Sequence, residues 1–176
     1  MPDLGTIADL VSAAAVVTGL LFAGVQLRQF RRVQEREAGL VLLRSYQTRT
    51  LARALLLAFE LPDGLTKAEV EDRVGDEMAT LYAMMTIWES LGILVHRGQV
   101  ELALVDDFFS GPIVLSWHKM HRYVDEQRVE LDRGTIWEWF QWLAERMQER
   151  EAVTPPVPAH IEHRDWSVRG RVRRTQ

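Results

Sequence analysis

The sequence predicts an all-α protein held to a membrane by one N-terminal helix, and three observations predict it. Residues 10–27 (LVSAAAVVTGLLFAGVQL) contain no charged side chain. Apolar residues recur at helical spacing through most of the remaining chain. No stretch sustains the period-two alternation of β-branched residues that marks a strand.

The first element is the uncharged stretch. Eighteen residues in a helix rise roughly 27 Å, close to the ~30 Å hydrocarbon core of a bilayer. Residues 1–9 are then a short extracytoplasmic N-terminus and residues 10–27 a transmembrane helix. Asp3 and Asp9, with no Lys or Arg ahead of the span, argue against a cleavable signal peptide, whose start is basic. Arg28, Arg31, Arg32 and Arg36 crowd the other flank. The positive-inside rule therefore puts the domain of residues 28–151 in the cytoplasm, at the inner membrane. Ala15, Gly19 and Ala23 line one edge of the span with small residues, a candidate face for helix association.

No Pro interrupts residues 28–61, and Val33, Leu40, Leu43, Tyr46, Thr50, Ala54 and Leu57 keep helical spacing. The expectation is that the membrane helix continues into a long juxtamembrane helix, unbroken over residues 6–60. Pro62-Asp63-Gly64 then breaks the chain. Thr66 and Glu69 form a capping box that opens a short helix ended near Gly75. Residues 77–97 are apolar nearly all round, which predicts a helix at the centre of the core. Gly98 is placed to close it in the left-handed conformation. Residues 101–109 read as a short helix stopped by Ser110-Gly111, and Pro112 as the first residue of a new helix burying Ile113, Trp117, Met120 and Val124. Thr135 and Glu138 match a second capping box, opening a helix to about Glu151 with Ile136, Phe140, Leu143 and Met147 inward. Residues 152–176 begin with prolines, end in arginines, and read as a disordered basic tail. The whole is a cytoplasmic bundle of about four main helices.

The chain has 176 residues, no cysteine and a formal net charge of −4. Disulfide and thiolate chemistry are thereby excluded, and a general affinity for nucleic acid is disfavoured.

Residues 88–98 read WESLGILVHRG, followed by LVDDFF at 104–109 and then Trp117. This pattern resembles a domain-of-unknown-function family of small bacterial single-pass membrane proteins. The resemblance implies an N-terminal membrane helix, a long juxtamembrane helix and a central helix with an aromatic-Glu-x-x-Gly pattern. It carries no catalytic residues.

Glu89 is the anomaly of the most apolar helix. A buried carboxylate must be paired, hydrogen-bonded or protonated. The expected partner is an arginine, Arg49, Arg53 or Arg122; the alternative is a tuned acid in a ligand site. His118 and His121 share one helical face at i, i+3, so a metal- or ligand-binding enzyme would use Glu89 with both of them. No Gly-x-Ser-x-Gly elbow, phosphate loop or His-Glu-x-x-His occurs. Trp142 falls among Glu138, Gln141 and Glu149 on a helical wheel and is expected as an exposed partner contact. The sequence thus favours a non-enzymatic, membrane-tethered interaction or scaffold module. It has no catalytic, metal or cofactor site, its partners being the lipid bilayer and a protein or a second copy.

Overall fold

The computed structural model describes residues 48–167, together with Thr18, Phe22, Ala23 and Gln26. The rest of the expected span, the juxtamembrane segment 28–47 and residues 168–176 lie outside the described residues, as do Ala15 and Gly19. The four isolated residues are helical and exposed, Phe22 by 64%.

The described chain is all-α, with no strand among the described residues. It runs α1 (Arg49–Glu60), α2 (Lys67–Val74), a 3₁₀ turn (Gly75–Glu77), α3 (Met78–His96), α4 (Leu102–Glu130), α5 (Glu138–Val153) and a single turn α6 (Ala159–Glu162). The helix expected to run unbroken over residues 6–60 has a start at Arg49. Thr48 is extended (φ −78°, ψ 141°), and its hydroxyl accepts the Leu51 amide at 3.2 Å. Threonine is among the best N-caps, so it competes with helix continuation here.

α1, α3, α5 and α4 form a ring of four packed helices. α1 and α5 each touch both α3 and α4, which face one another across the diagonal, and α2 lies on α4. Leu51, Ala54 and Ala58 of α1 fill the centre with Leu81, Met84, Met85 and Trp88 of α3. Ile113, Met120, Tyr123 and Val124 of α4 and Phe140, Leu143 and Met147 of α5 complete it. Trp88 and Trp117 are buried, as the helical stripes predict. Within residues 67–96 an 18-residue window has mean hydropathy 1.4, apolar enough by length and composition to cross a membrane. The 3₁₀ turn interrupts them, and the inner face of α3 is core.

The capping box on α2 is present, Thr66 accepting the Glu69 amide while Glu69 accepts the Thr66 amide at 2.8 Å. α3 ends as expected: Gly98 takes φ +66°, and the Gln99 and Gly98 amides return to Leu94 and Val95 in a Schellman arrangement.

Two expectations are corrected. Residues 102–130 are one helix, not two, with Pro112 inside it. An interior proline forfeits one backbone hydrogen bond and crowds the preceding turn. Burial of Val105 and Phe109 before it and Ile113 and Val114 after it keeps one inward face continuous across the defect. The second capping box does not form. The Thr135 hydroxyl instead accepts from Arg133 Nε at 3.3 Å, and α5 begins only at Glu138.

Candidate functional site

The N-terminus of α5 poses a local problem. Its N-cap residue, Trp137, sits in the left-handed region (φ 54°, ψ 34°) and has no side chain able to accept the first amides. Unsatisfied first-turn amides are costly when a helix start is packed against its neighbours. Glu89, reaching across from α3, supplies the acceptor. Its Oε2 takes the Phe140 amide at 2.8 Å, and the Trp139 amide is a second, lesser donor. The carboxylate caps a helix to which it does not belong.

The residues around Glu89 make this reach possible. A methyl group built at Gly92 would overlap the Trp139 carbonyl, its oxygen first and its carbon at 2.9 Å. Glycine at this position lets α5 start directly against α3. Trp88 on the next face is 1% exposed and lies 5.9 Å, ring to ring, from Phe109 of α4. Its indole N–H has no acceptor among the described residues. Trp88, Glu89 and Gly92 thus fix, respectively, the diagonal contact, the cap and the approach distance at one junction.

Burial pushes the Glu89 carboxyl above its ordinary value. The Phe140 and Trp139 amides pull it back down, Glu138 raises it, and Arg128 lowers it. Among the described residues the expected arginine pair is not formed. Arg53 pairs with Glu77 at 2.8 Å, and Arg122 serves Glu126 at 3.1 Å and the Gly64 carbonyl at 2.9 Å. Arg128 binds the Ile136 carbonyl at 2.8 Å and Gln141 Oε1 at 2.7 Å, holding the turn that leads into α5.

A polar chain that the sequence does not advertise lies beside this junction. Trp137 Nε1 donates to Gln127 Oε1 at 3.0 Å, Gln127 Nε2 donates to the Tyr82 hydroxyl, and Tyr82 and Tyr123 share a hydrogen bond at 3.0 Å. Tyr123 is 1% exposed, and burial, then Tyr82, push its hydroxyl well above the usual tyrosine range. One signal was available: Gln127 is the next inward position after Ile113, Trp117, Met120 and Val124.

Glu89, His118 and His121 do not converge. Glu89 is tied to the first turn of α5, whereas His118 Nε2 lies 3.4 Å from Gln148, eight residues or about 12 Å further along that helix. His121 bonds the His118 carbonyl through Nδ1 at 3.0 Å. Lys119, between them in sequence, pairs with Asp63 at 2.6 Å and holds its carboxyl below the usual range. Among the described residues no group of three or more His, Asp or Glu is placed to hold a metal ion.

Trp142 is half-buried rather than open. Its ring meets His96 edge-on at 5.7 Å and Trp139 at 6.1 Å, and the Arg146 guanidinium lies 5.8 Å from its centre. The exposed apolar residues of the bundle are elsewhere. On α1 Leu56 and Phe59 are 64% and 39% exposed; on α4 Phe108, Leu115 and Val129 are 44%, 48% and 83% exposed, and Val153 ends α5 at 84%.

These features define a helical-bundle domain whose most distinctive residues join its helices to one another. The matching family model is that of a domain of unknown function, DUF4760, over residues 13–147, and the chain belongs to that family. No curated protein and no solved structure matches the chain.

Proposed function

We propose that this protein is a non-enzymatic, membrane-tethered helical module that binds a protein partner at the inner face of the membrane. The observation that carries the reading is the set of exposed apolar residues on two adjoining helices. Leu56 and Phe59 are one turn apart on α1, and Phe108 and Leu115 are two turns apart on α4, so each pair shares a face. α1 and α4 pack together. Large apolar side chains on neighbouring surfaces are the usual core of a protein contact. Membrane tethering is supported by the uncharged residues 10–27 and by the exposure of Thr18, Phe22, Ala23 and Gln26. The enzyme alternative gains no support, because Glu89 is occupied as a helix cap and stands apart from both histidines.

Photo-crosslinking in cells tests the reading, with a crosslinker placed in turn at Leu56, Phe59, Phe108 and Leu115 of the full chain. The expected result is one crosslinked protein species common to these positions. Leu56→Glu with Leu115→Glu should abolish it while leaving the melting temperature within about 2 °C, because exposed side chains contribute little to stability. Crosslinks confined to other surfaces would overturn the assignment.

A further inference from the structure

α1 carries a second apolar stripe, on the side away from the core. Leu51, Ala54, Leu55 and Ala58 face inward, while Arg49, Ala52, Leu56, Phe59 and Glu60 are exposed. At 3.6 residues per turn those five fall within about 100° of one another, opposite the buried face. Ala52, Leu56 and Phe59 are spaced four and then three apart, the spacing of a seam between two helices.

The charges that close this stripe are set against the helix that carries them. Arg49 is its first residue and Glu60 its last, with no acid in the first turn and no base in the last. A helix dipole favours the reverse, anions at the start and cations at the end. Arg53, on the flank of the stripe, is taken by Glu77 at 2.8 Å. Of the 19 acidic and 11 basic side chains in residues 48–151, α1 holds one and two. In an acidic bundle it is therefore the helix on which two copies repel least.

We propose that the exposed stripe of α1 docks on a second copy of this chain, the two α1 helices lying antiparallel across a twofold axis beside Leu56. Each Arg49 then meets the partner's Glu60, and each Glu60 the partner's Arg49. Ala52 faces the partner's Phe59, small against large, and the two Leu56 side chains meet near the axis. A twofold contact is self-complementary in this way, residue i on j and j on i. Antiparallel helices set each start beside the other's end, so charges misplaced for their own dipole are well placed for the partner's. A parallel pairing would put Arg49 on Arg49 and Glu60 on Glu60. Within one copy the two residues stand about 16 Å apart along the helix, too far to pair. An unrelated protein would explain the apolar stripe but not the reversed charges, and a bilayer surface would press Glu60 against lipid phosphate. Thr48 is extended and starts α1 afresh, so copies held to one membrane can pair with α1 running along it. The proposal rests on the reading that the apolar face of α1 meets a protein, and it names that protein.

The chain has no cysteine, so Leu56→Cys places a single thiol beside the axis. Mild oxidation of the purified full chain should give a disulfide-linked species of twice the chain mass. Its yield should be at least about tenfold above that of Val129→Cys, since a disulfide forms only between Cα atoms held close. Val129 is the fair control, being 83% exposed on α4. Arg49→Glu and Glu60→Arg, each added to Leu56→Cys, should lower the yield about fivefold. Both together should restore it, because opposite charges again face each other across the axis. Unfolding cannot mimic the losses, since each single reversal favours the dipole of α1 itself and should leave the melting temperature unchanged or higher. Equal yields at positions 56 and 129, or a yield indifferent to the charge reversals, would overturn the proposal. So would failure of the double reversal to restore the yield. A photo-crosslink from position 56 to a protein of another mass would overturn it as well, and would leave the proposed partner contact standing. Absence of any photo-crosslink at Leu56, Phe59, Phe108 and Leu115 would remove both.

Discussion

Glu89 shows how a carboxylate can sit in an apolar helix with no ion-pair partner among the described residues. Its carboxylate accepts the Phe140 and Trp139 amides, and the α5 dipole favours negative charge at that end. Burial outweighs both, since the carboxyl lies above its ordinary value of 4.5. The folded state therefore holds the Glu89 proton more tightly than the unfolded state does. The associated stability is present below about pH 4.5 and is lost as pH rises through the folded value. Glu89→Gln keeps an oxygen for the same amides and removes the ionisation, so it should be at least as stable as the wild type at pH 7, the two converging towards pH 4. Glu89→Ala keeps neither and should lose about 1–2 kcal/mol, as cap removals do. Denaturant melts across pH 4–8 measure all three. A loss of more than about 1 kcal/mol for Glu89→Gln at pH 7 would mean that charge, not hydrogen bonding, holds α5. Gly92→Ala makes an opposite case, because alanine favours a helix by about 1 kcal/mol. The methyl meets the Trp139 backbone, which cannot swing aside, so overpacking should win by a net of about 1–3 kcal/mol.

At the scale of elements, two helix starts in this bundle take a carboxylate from another helix. Glu89 of α3 serves α5, and Glu126 of α4 accepts the first amide of α2, at Lys67, at 2.7 Å. Trp88→Ala should cost about 3–5 kcal/mol, the usual range for a buried aromatic. Trp88→Phe should cost much less, because it also removes an indole N–H with no acceptor among the described residues. Urea titration of the two variants checks the order. Local patterns that close within one turn were legible in the sequence: the Thr66–Glu69 box, the Gly98 terminus, and the inward stripe of Ile113, Trp117, Met120 and Val124. Patterns settled by a distant partner were not. Pro112 reads as a helix start by its own chemistry, and only apolar burial on both sides carries α4 through it. Thr135 reads as a cap until Arg133 takes its hydroxyl. Glu89 reads as half of an ion pair, because nothing in its own helix reveals that α5 begins without a cap. Trp88, Glu89 and Gly92 were visible as a motif, but their common purpose depends on Trp139, 47 residues beyond the last of them.

At the scale of the whole molecule, charge is sorted along the chain. Five arginines fall within residues 28–44, an acidic excess occupies residues 48–151, and arginines close the sequence. Such sorting has a topological consequence if residues 10–27 span a bilayer. The flank with Arg28, Arg31, Arg32 and Arg36 lies within the distance at which positive charge sets orientation, whereas acidic side chains contribute little to that bias. The N-terminal flank offers only Asp3 and Asp9 against it. The expected arrangement is an N-terminus outside and the bundle inside. A reporter active only in the cytoplasm should be active when fused after Gln176, and the protein should stay with membranes through a carbonate wash. Moving the positive charge should move the domain. Replacing the four flanking arginines by glutamine and placing lysines at positions 2–5 should invert a substantial fraction of molecules, read by protease accessibility from the outer side. An unchanged orientation after that exchange would show that the folded bundle, not the charge beside the span, decides the side on which it rests.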